Sequence, residues 1–348
     1  MKYNEIKKEL IDNPKYWLVT GVAGFIGSNL AEALLKLNQK VISLDNFATG
    51  HRYNLDHIKE AVTDEQWMNF TFVEGDITDL ETCQKVTKDV DIVLHQAALG
   101  SVPRSIATPL ISNHANVTGF LNILSSAKDN NVKRFVYASS SSVYGDSQEL
   151  PKVEAKTGNL LSPYAVTKYV NELYTKVFHQ CYGMEAIGLR YFNVFGKRQD
   201  PNGAYAAVVP KWIGQILNGE DLFINGDGET SRDFTYIENV IQANILAGTT
   251  ENKEAFGQAF NTAIGGRETL NNLHKAIVKG LQENLPQLTI KEAIYQDFRE
   301  GDIRHSNANI EKIETMLGYQ PTHSLERGLS ESIEWYINDF KGKTDDKK

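Results

Sequence analysis

Hydrophobic positions along the chain change period several times. Ile6, Leu10 and Ile11 recur at helical spacing through the first dozen residues, predicting a short amphipathic helix that Asn13-Pro14 ends. Tyr16-Trp-Leu-Val-Thr20 is then a compact apolar run, the pattern of a buried strand. Leu30, Leu34 and Leu37 share one face of a helix predicted over 28–37. Lys40-Val-Ile-Ser-Leu44 predicts a second strand that ends at Asp45. Further strands are predicted at 70–74, 92–95 and 134–138, with helical stretches between them. Such alternation predicts an α/β fold with a doubly wound parallel sheet. Beyond about residue 190 the pattern loosens, and segments rich in Gly, Asn and Asp (199–203, 225–228) separate shorter elements. The expected division is a sheet-bearing half over 1–189 plus about 234–260, with 1–14 as an extension. A smaller C-terminal α/β substrate-binding half covers 190–233 and 261–340, followed by a polar tail over 341–348.

Composition narrows the class. With 348 residues, 41% hydrophobic and 23% charged, the chain can bury a large core. A net charge of -8 argues against a nucleic-acid surface. Cys83 and Cys181 are the two cysteines and form no metal-type cluster, so neither a disulfide framework nor a metal is expected. No run approaches the roughly 20 apolar residues of a membrane span, and the charged N-terminus lacks a signal-peptide core. A cytoplasmic protein without a membrane partner is the expectation.

Two constellations carry chemistry. Gly21-Val-Ala-Gly-Phe-Ile-Gly27 lies between a predicted strand and a predicted helix. Glycines there let the backbone approach a pyrophosphate seated on the helix N-terminus. Asp45 at the end of the second strand suits ribose hydroxyls and repels a 2′-phosphate, which selects NAD over NADP. Asp76-Ile77 suits an adenine contact. The second constellation is Tyr164 and Lys168, four residues apart and thus on one helix face. A cation beside a phenol is expected to lower its pKa and make it a usable base. Alone, that spacing is common on solvated helices.

Together with His95-Gln-Ala-Ala98, Asn116-Val-Thr-Gly119, Ser139-Ser-Ser-Ser-Val-Tyr-Gly145, Arg190-Tyr-Phe-Asn193, Ser231-Arg-Asp233 and Arg299-Glu-Gly-Asp302, these segments resemble the extended short-chain dehydrogenase/reductase family, and within it the nucleotide-sugar 4-epimerases. The resemblance runs from about Lys15 to Tyr319. It implies a Rossmann-type sheet, tightly held NAD, a UDP-sugar substrate and a homodimer built on helices at 116–128 and 164–181. For NAD it implies contacts from Gly21, Gly24, Phe25, Ile26, Gly27, Asp45, Asn46, Asp76, Ile77, Gln96, Ala97, Ala98, Asn116, Tyr164, Lys168 and Tyr191. Tyr164 takes the O4 proton, Lys168 supports it, and a serine binds O4. Counting back from Val143-Tyr144-Gly145 places that serine at Ser140, with Ser141 and Ser142 as alternatives or substrate contacts.

Dehydratases of the family carry an Asp-Glu pair, and decarboxylases a Glu, where this chain has Ser141-Ser142. The implied reaction is therefore epimerisation. Asn193, Val208, Arg232, Arg299 and Asp302 carry over as substrate contacts, the two arginines on the diphosphate, and Arg104 as either a neighbour of nicotinamide or substrate or a structural residue. Ser306 stands where some epimerases carry a bulky tyrosine, leaving room for a 2-acetamido group. UDP-GlcNAc and UDP-GalNAc are the expected pair, supplying surface polysaccharide. UDP-glucose/UDP-galactose epimerisation, a UDP-uronate epimerase or decarboxylase, and a non-enzymatic NAD-binding regulator are the alternatives.

Overall fold

A computed structural model describes residues 2–202, 206–298 and 303–345, with side chains through residue 340. Seven strands form one parallel sheet: β1 (Tyr16–Thr20), β2 (Lys40–Asp45), β3 (Phe70–Glu74), β4 (Ile92–His95), β5 (Arg134–Ser140), β6 (Ala186–Tyr191) and, later in the chain, β11 (Gln258–Thr262). Between the last two lie β7 (Val194–Phe195), β8 (Phe223–Asn225), β9 (Ser231–Arg232) and β10 (Thr235–Tyr236), and after them β12 (Glu268–Thr269) and β13 (Ile294–Gln296).

The order across the sheet is β11-β6-β5-β4-β1-β2-β3. Winding reverses between β1 and β4, so a crevice opens at their carboxyl ends. Helices cover both faces, which is why β1, β4, β5 and β6 read as apolar runs rather than as alternations. Strand period sorts their side chains. Trp17, Val19, Val136 and Ala138 enter one core, while Leu18, Phe135 and Tyr137 enter the other with Phe120 and Ile123.

Local signals set the helices that matter to the site. The helix Phe25–Lys36 starts three residues before the expected position, because its first turn uses Gly27 and Ser28 of the glycine loop. The long helix Pro163–Tyr182 begins where Ser162 Oγ accepts from Ala165 N at 3.1 Å, has Pro163 in its first turn, and ends at Gly183 with φ +67°. The N-terminal helix Lys2–Asp12 buries Ile6 and Leu10. Gln39 pins it by donating to Leu10 O at 2.7 Å and accepting from Trp17 Nε1 at 3.1 Å.

The remaining strands pair two by two: β7 with β10, β8 with β13, β9 with β12. A buried ion cluster joins this part to the sheet. Glu32 meets Lys197 at 2.8 Å, Arg198 at 2.6 Å and Lys36 at 2.6 Å. Burial pushes its carboxyl up, but the cations outweigh it and hold the group down at about 2.

Candidate active site

A crevice of about 490 Å3 lies over the carboxyl ends of β1, β2 and β4. It is lined by Gly21, Gly24, Phe25, Ile26, Gly27, Asp45, Asn46, Asp76, Ile77, Gln96, Ala97 and Ala98, all expected from sequence. Leu44, Ala48, Thr49, Gly50, Leu99, Gly100 and His114 join them, with no motif to announce them. The glycines are needed for packing as well as for the ligand. A Cβ on Gly27 would lie 2.1 Å from Gly21 O, and Gly21 holds φ +73° with Ala97 N 2.8 Å from where a Cβ would go. Asp45 accepts from Ala23 N at 2.9 Å and Phe47 N at 2.8 Å, which shapes the turn after β2. Burial raises its pKa against those bonds. Asp76 accepts from Asn46 Nδ2 at 2.7 Å and from Thr78; the bonds outweigh burial and keep it low.

Asn116 and Tyr191 stand behind this wall rather than in it. Asn116 accepts from Leu99 N at 2.7 Å, donates to Leu99 O at 3.1 Å, and donates to Thr167 Oγ1 at 3.2 Å. It thereby ties the crevice loop to the long helix. The Tyr191 hydroxyl donates to Gln96 Oε1 at 3.0 Å and is held by Asn244. Both are correctly placed to orient the wall, but their polar atoms are committed to protein.

At the end of β5 the structure brings Ser140, Tyr164 and Lys168 together. Ser140 lies beside the Tyr164 hydroxyl, and Lys168 Nζ donates to Ala138 O at 2.9 Å, 5.9 Å from the centre of the Tyr164 ring. Of the four serines, Ser140 is the one beside the Tyr164 hydroxyl. Ser139 turns to Glu172, Ser141 is half-buried, and Ser142 Oγ is buried without a hydrogen-bond partner.

Tyr164 is buried, which works against the effect expected of a neighbouring lysine. Burial raises its pKa, and the neighbouring Ser140 only partly opposes that. Lys168 is itself buried, which lowers its ammonium to about 8.

A second cavity of about 410 Å3 gathers Asn193, Val208 and Arg232, as expected, with Lys211, Trp212, Phe223, Asn225, Thr230 and Gln296 added. Arg232 Nη1 donates to Ser231 O at 2.9 Å and Arg304 O at 3.3 Å. Arg267 Nε donates to Ser231 Oγ at 2.8 Å, and His305 Nδ1 lies 2.8 Å from the same oxygen. Burial and then Arg267, Arg304 and Arg232 lower the His305 pKa. Ser306, half-buried, is joined to this cluster by its N–H to Ser231 O at 3.1 Å. Asp233 ties the loops: its carboxylate accepts from Ile264 N and Ala308 N, each at 3.2 Å, and its carbonyl accepts from Asn193 Nδ2 at 3.1 Å. Asn193 takes φ +32°, a value that asparagine tolerates better than most residues. Arg104 is half-buried on the short helix Val102–Ala107, whose Ser105 Oγ accepts from Tyr164 N at 3.0 Å. Arg299 and Asp302 lie outside the described residues.

Residues 17–263 match the NAD dependent epimerase/dehydratase family. A solved UDP-N-acetylglucosamine 4-epimerase from Methanobrevibacter ruminantium M1, in complex with UDP-N-acetylmuramic acid, is 39% identical. It superposes with a TM-score of 0.84 over 94% of this chain and 99% of its own. The Thermotoga maritima UDP-glucose 4-epimerase with UDP-glucose is 34% identical, with a TM-score of 0.83 over 93% and 99% of the two chains. A UDP-glucuronate 4-epimerase from Thermodesulfobacterium geofontis is 33% identical over 92% of this chain and 95% of its own length.

Proposed function

Because the chain belongs to the NAD dependent epimerase/dehydratase family and is a UDP-sugar 4-epimerase, an isomerase, we propose that its preferred pair is UDP-GlcNAc and UDP-GalNAc. The sheet half holds the cofactor and the paired-strand half holds the sugar nucleotide. The glycine cradle and Asp45 fit NAD, which supplies the hydride acceptor at C4 and returns the hydride.

Tyr164 and Ser140 carry the proton chemistry. With Ser140 orienting it, the Tyr164 phenolate takes the O4 proton as C4 is oxidised and returns it as C4 is reduced. Burial works against the phenolate, so cationic help is needed. Lys168 supplies part of it from a water-poor position where its charge is weakly screened. The observation that carries the reaction type is the carboxylate geometry. Among the described residues, Glu172 is the one carboxylate hydrogen-bonded to the serine run, through Ser139, and Arg190 grips it. Nothing at Ser141 or Ser142 can protonate a departing hydroxyl, so dehydration lacks its acid there.

Arg232 holds the diphosphate, with Asn193 and Val208 lining the same cavity. Ser306 leaves room for the acetamide, and the Methanobrevibacter relative, named for an N-acetylated sugar, supports that preference. A UDP-uronate is the second reading, favoured by Arg267 and His305 beside Ser231, where a sugar carboxylate could be bound.

The working unit is a homodimer. Val166, Leu173 and Val177 are 45–48% exposed at near-heptad spacing on the long helix, beside the more exposed Leu110 and Ile111. Sedimentation of Leu173→Glu should show the monomer; an unchanged dimer would remove this face from the interface.

Purified protein incubated without added NAD with UDP-GlcNAc, UDP-glucose and UDP-GlcA, and read by proton NMR, tests the reading. UDP-GalNAc as the fastest product is expected. Preferential turnover of UDP-GlcA would establish the second reading, and carbon dioxide release would overturn both.

A further inference from the structure

Ala138 and Ser140, the β5 residues that touch Lys168 and Tyr164, flank Ser139, whose side chain points to the face that the long helix covers. Ser139 Oγ donates to Glu172 Oε1 at 2.6 Å. Glu172 lies one turn beyond Lys168 on that helix. Arg190, directly opposite Ser139 in the β5–β6 register, grips both carboxylate oxygens: Nε to Oε1 at 2.9 Å and Nη2 to Oε2 at 2.7 Å. Its Nη1 donates to Glu154 O at 3.1 Å, and its guanidinium carbon lies 4.9 Å from the Tyr144 ring centre. The two charged side chains are only 5% and 10% exposed.

Burying such a pair adds little net stability over apolar residues of similar volume. Its two-pronged geometry, however, admits one arrangement of strand and helix. We propose that Ser139, Glu172 and Arg190 are positioning residues, a clamp that fixes the long helix against the end of β5 and so sets the Ser140–Tyr164 contact. Three successive strand residues then hold three successive turns of one helix: Ser140 at Tyr164, Ala138 at Lys168, Ser139 at Glu172. None of the clamp side chains meets substrate; they act through Tyr164. The inference rests on Tyr164 being the base.

Ser139→Ala removes one hydroxyl and leaves the Glu172–Arg190 pair in place. It should lower kcat about tenfold, since small misplacements of reacting groups are costly, with KM and retained NAD within twofold of the parent. The acid limb of the kcat profile should move to higher pH, because a displaced Ser140 no longer pulls the phenol pKa down. Ser139→Thr, which keeps the hydroxyl, should recover most of the rate. An unchanged kcat and pH profile in Ser139→Ala, with Tyr164→Phe inactive, overturns the clamp and leaves the base standing. Turnover retained by Tyr164→Phe fails the base reading itself. Should Ser139→Ala not fold, Glu172→Gln is measured instead: a kcat loss at constant KM supports the clamp, and a loss that tracks the folded fraction overturns it.

Discussion

The two halves of the site are built differently. The cofactor crevice is walled by backbone and by short turns at strand ends, all on one seven-stranded sheet. Its residues fall within a few short segments between 21 and 115. The second cavity, proposed for the sugar nucleotide, is walled by residues from 193 to 296, carried on two- and three-residue strands, the loops beside them and the helix Val208–Leu217. One wall is rigid because sheet hydrogen bonds make it so; the other depends on single anchors such as Asp233. On the proposed reading the cofactor sits on the sheet-built wall, and discrimination between sugars falls to the part that can change by one side chain. Tyr164 stands at the seam, on a helix tied to the crevice through Asn116 and Thr167.

The comparison can be broken most forcefully at the seam. Tyr164→Phe should lower kcat about a thousandfold while NAD content and substrate affinity stay near parent values. A parallel loss of NAD would mean that the seam is part of the rigid wall. Next is the joint between halves. Glu32→Gln leaves Arg198 and Lys197 without their counter-charge and should cost about 3–5 kcal/mol in denaturant unfolding. Because the folded Glu32 carboxyl is depressed to about 2 from its ordinary 4.5, its stabilisation is complete above pH 4.5 and is lost as pH falls through 2. Acid titration of the variant should therefore show a shallower loss across that window.

Gly27→Ala sharpens the contrast from the rigid side. A Cβ 2.1 Å from Gly21 O must displace the loop. Retained NAD should fall by tenfold or more, about 1.4 kcal/mol, measured by release on denaturation. Most selective, and without effect on stability, is Ser306→Tyr. It should cut turnover of UDP-GlcNAc by tenfold or more and spare UDP-galactose, leaving stability and NAD content unchanged. Equal effects on both sugars would remove the gate from Ser306.

The same asymmetry governs what could be read from sequence. β1 and β4 were legible to the residue, because a covered parallel strand must be an apolar run. A run of four serines has no register of its own, so Ser140 is preferred by resemblance alone; its place beside Tyr164 depends on the strand end meeting the long helix. Phe223, Asn225 and Gln296 carried no signal, since β8 and β13 are brought together by pairing across some 70 residues. Burial of Tyr164 and Lys168 carried no signal either: spacing shows that a lysine is near, but not that both groups are enclosed. Gln39, which fixes the N-terminal helix, was equally silent.

Conversion of UDP-GlcNAc carrying deuterium at C4, in ordinary water and without added NAD, tests the central claim most directly. The account predicts UDP-GalNAc with the deuterium still at C4, because hydride leaves and returns to the same carbon while Tyr164 handles only the O4 proton. UDP-GalNAc that has exchanged its C4 label for solvent hydrogen would contradict it.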